Sequence, residues 1–63
     1  PERIGMIIEL KYADDGNLEK ACAEALKQIE EKKYAQGLKR WGTKKILKYG
    51  IAFWEKECMV VMA

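Results

Sequence analysis

The sequence has no histidine, one proline and two cysteines. Cys22 and Cys58 are far apart and form no CxxC pair, which excludes the common zinc patterns and a disulfide framework. Any metal site must therefore use oxygen ligands. The longest apolar run, residues 58–63, is far below the ~18 residues that span a bilayer, and no basic-then-apolar leader opens the sequence. We expect a cytoplasmic protein with free, buried thiols.

The short length allows one small domain. A chain of 63 residues and 7.3 kDa has room for one core, and none for a separate substrate or cofactor domain. A hydrophobic content of 49%, with two Trp, three Tyr and one Phe, argues against disorder. Domains of this size bury only about 60% of their unfolded surface, so a partner, an oligomer or a missing flanking segment is expected.

Acidic residues are missing from residues 32–54, which hold seven Lys and Arg, whereas residues 1–31 hold eight acids and four bases. A basic segment of this kind is compatible with a phosphate-rich partner. The residues expected to contact nucleic-acid phosphates are Lys39, Arg40, Lys44, Lys45 and Lys48. The alternative is an ordinary solvated surface, because lysines on exposed faces are common.

Hydrophobic periodicity predicts an α/β fold with the order β-α-β-β. Residues 3–12 alternate as a strand, with Ile4, Met6, Ile8, Leu10 and Tyr12 on one face. Asn17 is a predicted helix N-cap, and apolar residues then recur at helical spacing from Leu18 to Ile29. Tyr34 marks a break before a short second helical piece at residues 36–41, which stops at Gly42.

The remaining residues predict a hairpin. A second strand covers residues 45–54, and a third covers 58–62, where the unbroken apolar run indicates burial on both faces. A right-handed crossover makes the first two strands parallel, and the hairpin makes the third antiparallel. We therefore predict a three-stranded mixed sheet with one long helix on one face. Aromatic residues Trp41, Trp54, Tyr49 and Phe53 are interpreted as core or interface rather than as base-stacking groups.

Glu9 and Lys11 form the sharpest chemical feature. Side chains two positions apart on a strand project from the same face, which places a carboxylate beside an ammonium. The carboxylate can hold a divalent cation while the lysine orients or deprotonates a water, an arrangement that suits phosphodiester hydrolysis. The alternative is a surface ion pair on a solvated strand face.

Three blocks, in order along the chain, resemble a known family. They are Ile-Ile-Glu-Leu-Lys-Tyr-Ala at 7–13, Ala-Leu-Lys-Gln-Ile-Glu-Glu-Lys-Lys-Tyr-Ala at 25–35 and Lys-Lys-Ile-Leu-Lys-Tyr-Gly-Ile-Ala-Phe at 44–53. Together they resemble the C-terminal nuclease-like domain that follows AAA-ATPase-like modules in many anaerobic bacteria. That domain belongs to the PD-(D/E)XK nuclease superfamily. The resemblance covers about residues 4–62.

The resemblance implies roles for particular residues. Glu9 matches the metal ligand of the E-x-K half of the motif, and Lys11 matches the lysine that activates water. Gln28 matches the glutamine beside the active site of many members, although a polar residue at the rim of the apolar stripe is an equal alternative. Tyr34 resembles the tyrosine that follows this glutamine, at a wider separation than in Gln-x-x-x-Tyr. The implied cofactor is Mg²⁺, which Glu9 would bind weakly.

One departure from the family suggests that the chain is catalytically incomplete. The motif aspartate comes from a strand that precedes the E-x-K strand, and only eight residues precede Glu9. Glu2 is too close in sequence to replace it, and Asp14 and Asp15 fall in the turn after the strand. We therefore interpret residues 1–63 as a single partial nuclease-like domain, half of a restriction-endonuclease-like core.

A different class of function stays open. The chain is alternatively a non-catalytic interaction or nucleic-acid-binding module that homodimerises through its sheet. Both faces of the predicted strands carry apolar residues, and a single helix covers only one of them.

Overall fold

The computed structural model describes residues 3–63 and contains five elements. They are β1 (Ile4–Tyr12), α1 (Leu18–Glu31), α2 (Tyr34–Arg40), β2 (Lys45–Trp54) and β3 (Glu57–Met62). The predicted α/β class and the β-α-β-β order are confirmed. A short second helix is present as predicted, but the turn lies at residues 32–33 rather than at Tyr34, and α2 begins at Tyr34 instead of residue 36 because Lys33 adopts the left-handed conformation. No helix within these residues is long and apolar enough to cross a membrane.

The strands form one mixed sheet in the order β1-β2-β3. β1 and β2 are parallel, with Glu9 beside Gly50, whereas β2 and β3 form an antiparallel hairpin with Trp54 beside Glu57. The strand directions agree with the prediction from a right-handed crossover. β1 is therefore an edge strand, with β2 in the centre of the sheet.

Local side chains explain where the helices begin and end. The Asn17 side chain accepts a hydrogen bond from the backbone N–H of Lys20 at 3.1 Å, which confirms the predicted N-cap of α1. Gly16 precedes it with a φ of +77°, a conformation that glycine adopts without strain. α1 ends at Glu31, and Lys33 then adopts a left-handed φ of +57° that turns the chain into α2.

The core lies between α1 and one face of the sheet, here called the helix face. The largest fully buried side chains within residues 3–63 are Ile29 and Cys22, and most of the other buried residues are small. The buried residues of the core are Ile7, Ala13, Ala21, Cys22, Ala25, Ile29 and Ala52. α1 comes close to the sheet at Gly50, where an added Cβ would lie 2.6 Å from the backbone oxygen of Cys22. Glycine is therefore required at this point of contact.

The opposite face of the sheet, here called the open face, is not covered by α1. Within residues 3–63 α2 borders only its β1 edge, where Met6 and Ile8 line a hollow together with Tyr34, Leu38 and Trp41. The strand register assigns to it these positions: Ile4, Met6, Ile8, Leu10, Tyr12, Lys45, Leu47, Tyr49, Ile51, Phe53, Cys58, Val60 and Met62. The predicted alternation of β1 is confirmed, and its larger apolar residues point away from the core.

Two predictions about burial are wrong. The third strand is not covered on both faces, because α1 covers only the helix face and β3 lies at the sheet edge. Cys22 is buried as predicted, but Cys58 is exposed because it lies beside Phe53 on the open face. Trp41, interpreted as a core or interface residue, follows α2 with 76% of its surface exposed, so it is not part of the core of this chain.

Candidate active site

The structure brings the three predicted site residues together on the helix face. Glu9 and Lys11 project from β1 toward α1, and Gln28 of α1 lies between them. The Gln28 amide nitrogen donates to Oε2 of Glu9 at 2.9 Å, and its oxygen accepts from Nζ of Lys11 at 3.2 Å in the orientation that satisfies both groups. One glutamine therefore connects the carboxylate and the ammonium of the E-x-K pair.

The close approach at Gly50 explains how Gln28 reaches this position. Gly50 is the register partner of Glu9 on β2, so the glycine that admits the α1 backbone lies beside the candidate carboxylate. A side chain at this position would push α1 outward and move Gln28 away from β1. The local geometry of the site thus depends on a residue that has no side chain.

Lys32 is a fourth member of this cluster that sequence reasoning missed. Its Nζ lies 3.5 Å from Oε2 of Glu9, whose side chain is only 17% exposed. The same Nζ lies 5.8 Å from the centre of the Tyr34 ring. The pKa of Lys32 is raised above its usual range. The larger cause is the neighbouring Tyr34 side chain, and the next is the negative charge of Glu9. Tyr34 thus lies beside Lys32, which in turn contacts Glu9.

Glu24 is a fifth member, and it contacts the other motif residue. Its Oε2 lies 3.0 Å from Nζ of Lys11. The hydrogen bond from Lys11, together with the positive charge of Lys11, lowers the pKa of Glu24. Glu24, Gln28 and Lys32 are spaced four apart and therefore form one stripe along α1. This spacing is the sequence signal that could have found the two residues.

Asp14 and Asp15 lie past the end of β1, as the sequence predicts. Both line a small hollow of about 170 Å³ that also includes Lys11 and Glu24. Asp15 accepts a hydrogen bond from the backbone N–H of Asn17 at 3.0 Å and lies 3.9 Å from the ammonium of Lys20. Asp15 therefore stabilises the start of α1. Glu2 lies outside the described residues.

The cluster does not supply a complete set of ligands for Mg²⁺. Within residues 3–63 no group of three His, Cys, Asp or Glu side chains could hold a metal ion. The Glu9 carboxylate instead accepts from an ammonium and an amide, both of which are hydrogen-bond donors. Mg²⁺ requires nearly octahedral oxygen coordination, and one carboxylate with one amide oxygen falls short of it.

The five predicted phosphate-binding residues do not form one surface. Lys48 lies on the helix face and forms an ion pair with Glu30 of α1. Lys45 faces the opposite side of the sheet. Lys39 and Arg40 are exposed in the last turn of α2, and Lys44 is exposed in the following loop. Lys45 and Lys48 therefore lie on opposite faces of the sheet.

Comparison with known families decides the identity. The sequence matches the family described as the PD-(D/E)XK nuclease superfamily over residues 2–63. The chain belongs to this superfamily. Comparisons with curated proteins and with solved structures gave no match. In the PD-(D/E)XK chain, Glu9 and Lys11 lie on β1, and Gln28 of α1 forms hydrogen bonds to both.

Proposed function

We propose that this chain supplies one half of a divalent-metal-dependent nuclease site and does not cleave nucleic acid by itself. The observation that carries the proposal is the bridge from Gln28 to both Glu9 and Lys11. An ordinary surface ion pair needs no such bridge. Here the carboxylate, the ammonium and the amide are held on two rigid elements, which is what a positioned catalytic group requires.

The two motif residues have distinct chemical tasks in this proposal. Glu9 would contribute carboxylate oxygens to a cation whose remaining ligands come from outside this cluster, and Lys11 would donate hydrogen bonds to an attacking water or a phosphate oxygen. Gln28 fixes the distance between them and supplies a further amide group. The superfamily implies that Mg²⁺ provides the charge stabilisation for phosphodiester cleavage. The resemblance to domains that follow AAA-ATPase-like modules extends the proposal to an ATPase partner module.

A cleavage assay tests the proposal. The chain is incubated with plasmid DNA, single-stranded DNA and RNA in the presence of Mg²⁺ or Mn²⁺, and we expect no cleavage. Cleavage that needs the metal and disappears in both Glu9→Gln and Lys11→Met would contradict the incompleteness while supporting the site. Cleavage that survives both substitutions would contradict the assignment of the site itself.

A second candidate function is binding of a nucleic-acid backbone at the α2 surface, defined here as Lys39, Arg40, Trp41 and Lys44. The favouring observation is the 76% exposure of Trp41, which directly follows two exposed bases. Within residues 3–63 none of these three bases forms an ion pair with a carboxylate. An exposed indole among cations can stack on a base while the cations contact phosphates.

Fluorescence anisotropy with labelled oligonucleotides tests the α2 surface. We expect weak, sequence-tolerant binding that decreases steeply as salt is raised, because phosphate contacts release counterions. The variant Lys39→Glu/Arg40→Glu should abolish it, whereas Lys56→Glu, at the hairpin tip, changes charge at another exposed position and should retain most of it. Binding that resists salt, or that both variants weaken equally, would contradict this function.

A further inference from the structure

The open face carries eight of the eleven exposed large hydrophobic side chains of the described residues. Of its thirteen strand positions, Lys45 is the only charged residue. Eight of the large side chains on it are 40–62% exposed, namely Ile4, Met6, Ile8, Leu10, Tyr12, Phe53, Val60 and Met62. Contiguous apolar patches on stable monomers rarely exceed a few hundred Å². This surface therefore requires a cover.

We propose that a second copy of this chain covers the open face and forms a face-to-face sheet sandwich. Eight half-exposed large side chains expose on the order of 800 Å² together, which is about what each partner contributes to a standard-size interface. The surface is apolar and nearly free of charge, so two copies can pack together without burying an unpaired charge at its centre. A twofold axis between two identical sheets buries both surfaces at once.

The position of Lys45 selects the orientation of the two copies. Lys45 lies at one end of the open face, beside Ile4, and the Tyr12–Phe53 pair lies at the other end. These two rings pack edge to face with their centroids 5.5 Å apart. A twofold axis perpendicular to the strands separates the two Lys45 side chains and brings each ammonium to the aromatic end of the other copy. A parallel arrangement would place the two ammonium groups together.

The core of one chain is small, so burial of more apolar surface in a dimer would stabilise the fold. Only Ile29 and Cys22 are fully buried larger side chains within residues 3–63, whereas the open face carries twelve apolar or aromatic residues. Most of the apolar surface of the sheet is thus on the side that the chain does not cover. Packing the two open faces against each other forms a second hydrophobic core between the two sheets, so each sheet is covered on both faces.

Adjacent residues on β3 provide a matched test. Val60 lies on the open face and is 56% exposed, while Val61 lies on the helix face and is 36% exposed. In sedimentation equilibrium we expect the wild type to reach twice 7.3 kDa at micromolar concentration. Val60→Lys should stay at the monomer mass at concentrations at least tenfold higher, and Val61→Lys should dimerise like the wild type. Circular dichroism confirms that both variants fold.

The two cysteines provide an internal probe of the same interface. Cys58 is exposed on the open face, whereas Cys22 is buried in the core. We expect the alkylation rate of Cys58 to decrease severalfold as the protein concentration passes into the dimer range, while Cys22 reacts slowly at all concentrations. A monomer mass at every concentration, an unchanged Cys58 rate, or equal dissociation by Val60→Lys and Val61→Lys would overturn the proposal.

Discussion

The ammonium of Lys32 occupies the position beside the Glu9 carboxylate that a metal cation would need. Its ammonium contacts Oε2 of Glu9 at 3.5 Å, so a divalent metal must compete with it for the same carboxylate. We predict that Mn²⁺ binds the wild-type chain only weakly and that Lys32→Met increases its affinity about fivefold, in line with the energy of a partly exposed ion pair. Isothermal titration calorimetry measures both affinities.

The control for this prediction is Lys27→Met. Lys27 lies on α1, and its ammonium is 3.9 Å from the Glu31 carboxylate, with both side chains well exposed. The Lys27→Met substitution therefore removes one positive charge, as Lys32→Met does, but at a position away from Glu9. If both variants changed the affinity for Mn²⁺ equally, net charge would explain the result, and the specific competition by Lys32 would be wrong.

The Lys11–Glu24 pair makes a prediction about pH. The hydrogen bond and charge of Lys11 lower the pKa of Glu24, so the pair is intact above the ordinary glutamate pKa and is lost as pH falls through the lowered value. Lys11→Met should raise the pKa of Glu24 toward 4.5. Carbon-detected NMR titration of the Glu24 carboxyl measures this shift. An unchanged Glu24 titration in the variant would show that the pair does not form in solution.

At the scale of elements, the contact of α1 with β2 depends on Gly50. An added Cβ would lie 2.6 Å from the Cys22 backbone oxygen, so α1 must move. We predict that Gly50→Ala lowers the free energy of unfolding by about 1–3 kcal/mol, the usual cost of overpacking. Urea denaturation followed by circular dichroism measures it. The same variant should lose the Gln28 contact to Glu9, because both belong to the shifted interface.

Gly37 provides the matched control for Gly50→Ala. It lies in α2, and an added Cβ would meet nothing within 4 Å. Gly37→Ala should stabilise the chain by about 0.5–1 kcal/mol, because alanine reduces the conformational entropy that a helix loses on folding. If the two alanine variants behaved alike, the steric account of the α1–β2 contact would be wrong.

The sequence predicted the helices and strands better than the burial of their side chains. Strand alternation, the Asn17 cap and the turn before Tyr34 are local signals, and the strand and helix positions deduced from them are confirmed within a few residues. The meeting of Glu9 with Gln28 was also predictable from the family motif. Burial was not, because which face α1 covers depends on small residues such as Gly50 and Ala52, whose effect appears only when helix and sheet are packed.

The basic segment shows the same limit. Residues 32–54 contain seven Lys and Arg and no acidic residue, a pattern that suggests one basic surface. Successive side chains of β2, however, point to opposite faces of the sheet. Lys45 and Lys48 therefore lie on opposite sides of the sheet, and Lys48 is taken up by Glu30. The partnership of Lys48 with Glu30 joins residues 18 positions apart, a separation that local patterns do not report.

At the scale of the whole molecule, stability rests on very few side chains. Ile29 is 1% exposed and is one of two fully buried larger residues within residues 3–63. Ile29→Ala removes about 2–5 kcal/mol, which is comparable to the entire stability expected for a domain of this length. We predict that this variant shows no cooperative thermal transition by circular dichroism.

Trp41→Ala is the contrasting variant for the core prediction. It deletes a larger side chain, but one that is 76% exposed, so its melting temperature should stay close to that of the wild type. A cooperative transition in Ile29→Ala at an unchanged temperature would show that the stability of the chain resides elsewhere.

The parallel pairing of β1 with β2 determines the order in which the molecule folds. The β2–β3 hairpin joins neighbours in sequence, whereas the partners Ile4 and Lys45 are 41 positions apart. Closing so long a loop is slow compared with forming a hairpin. Glu9 and Lys11 reach Gln28 only when β1 has docked, so we predict that the contacts among these three residues are the last to form. In native-state hydrogen exchange, the amides bonded between β1 and β2 should therefore open at lower free energy than those of the hairpin.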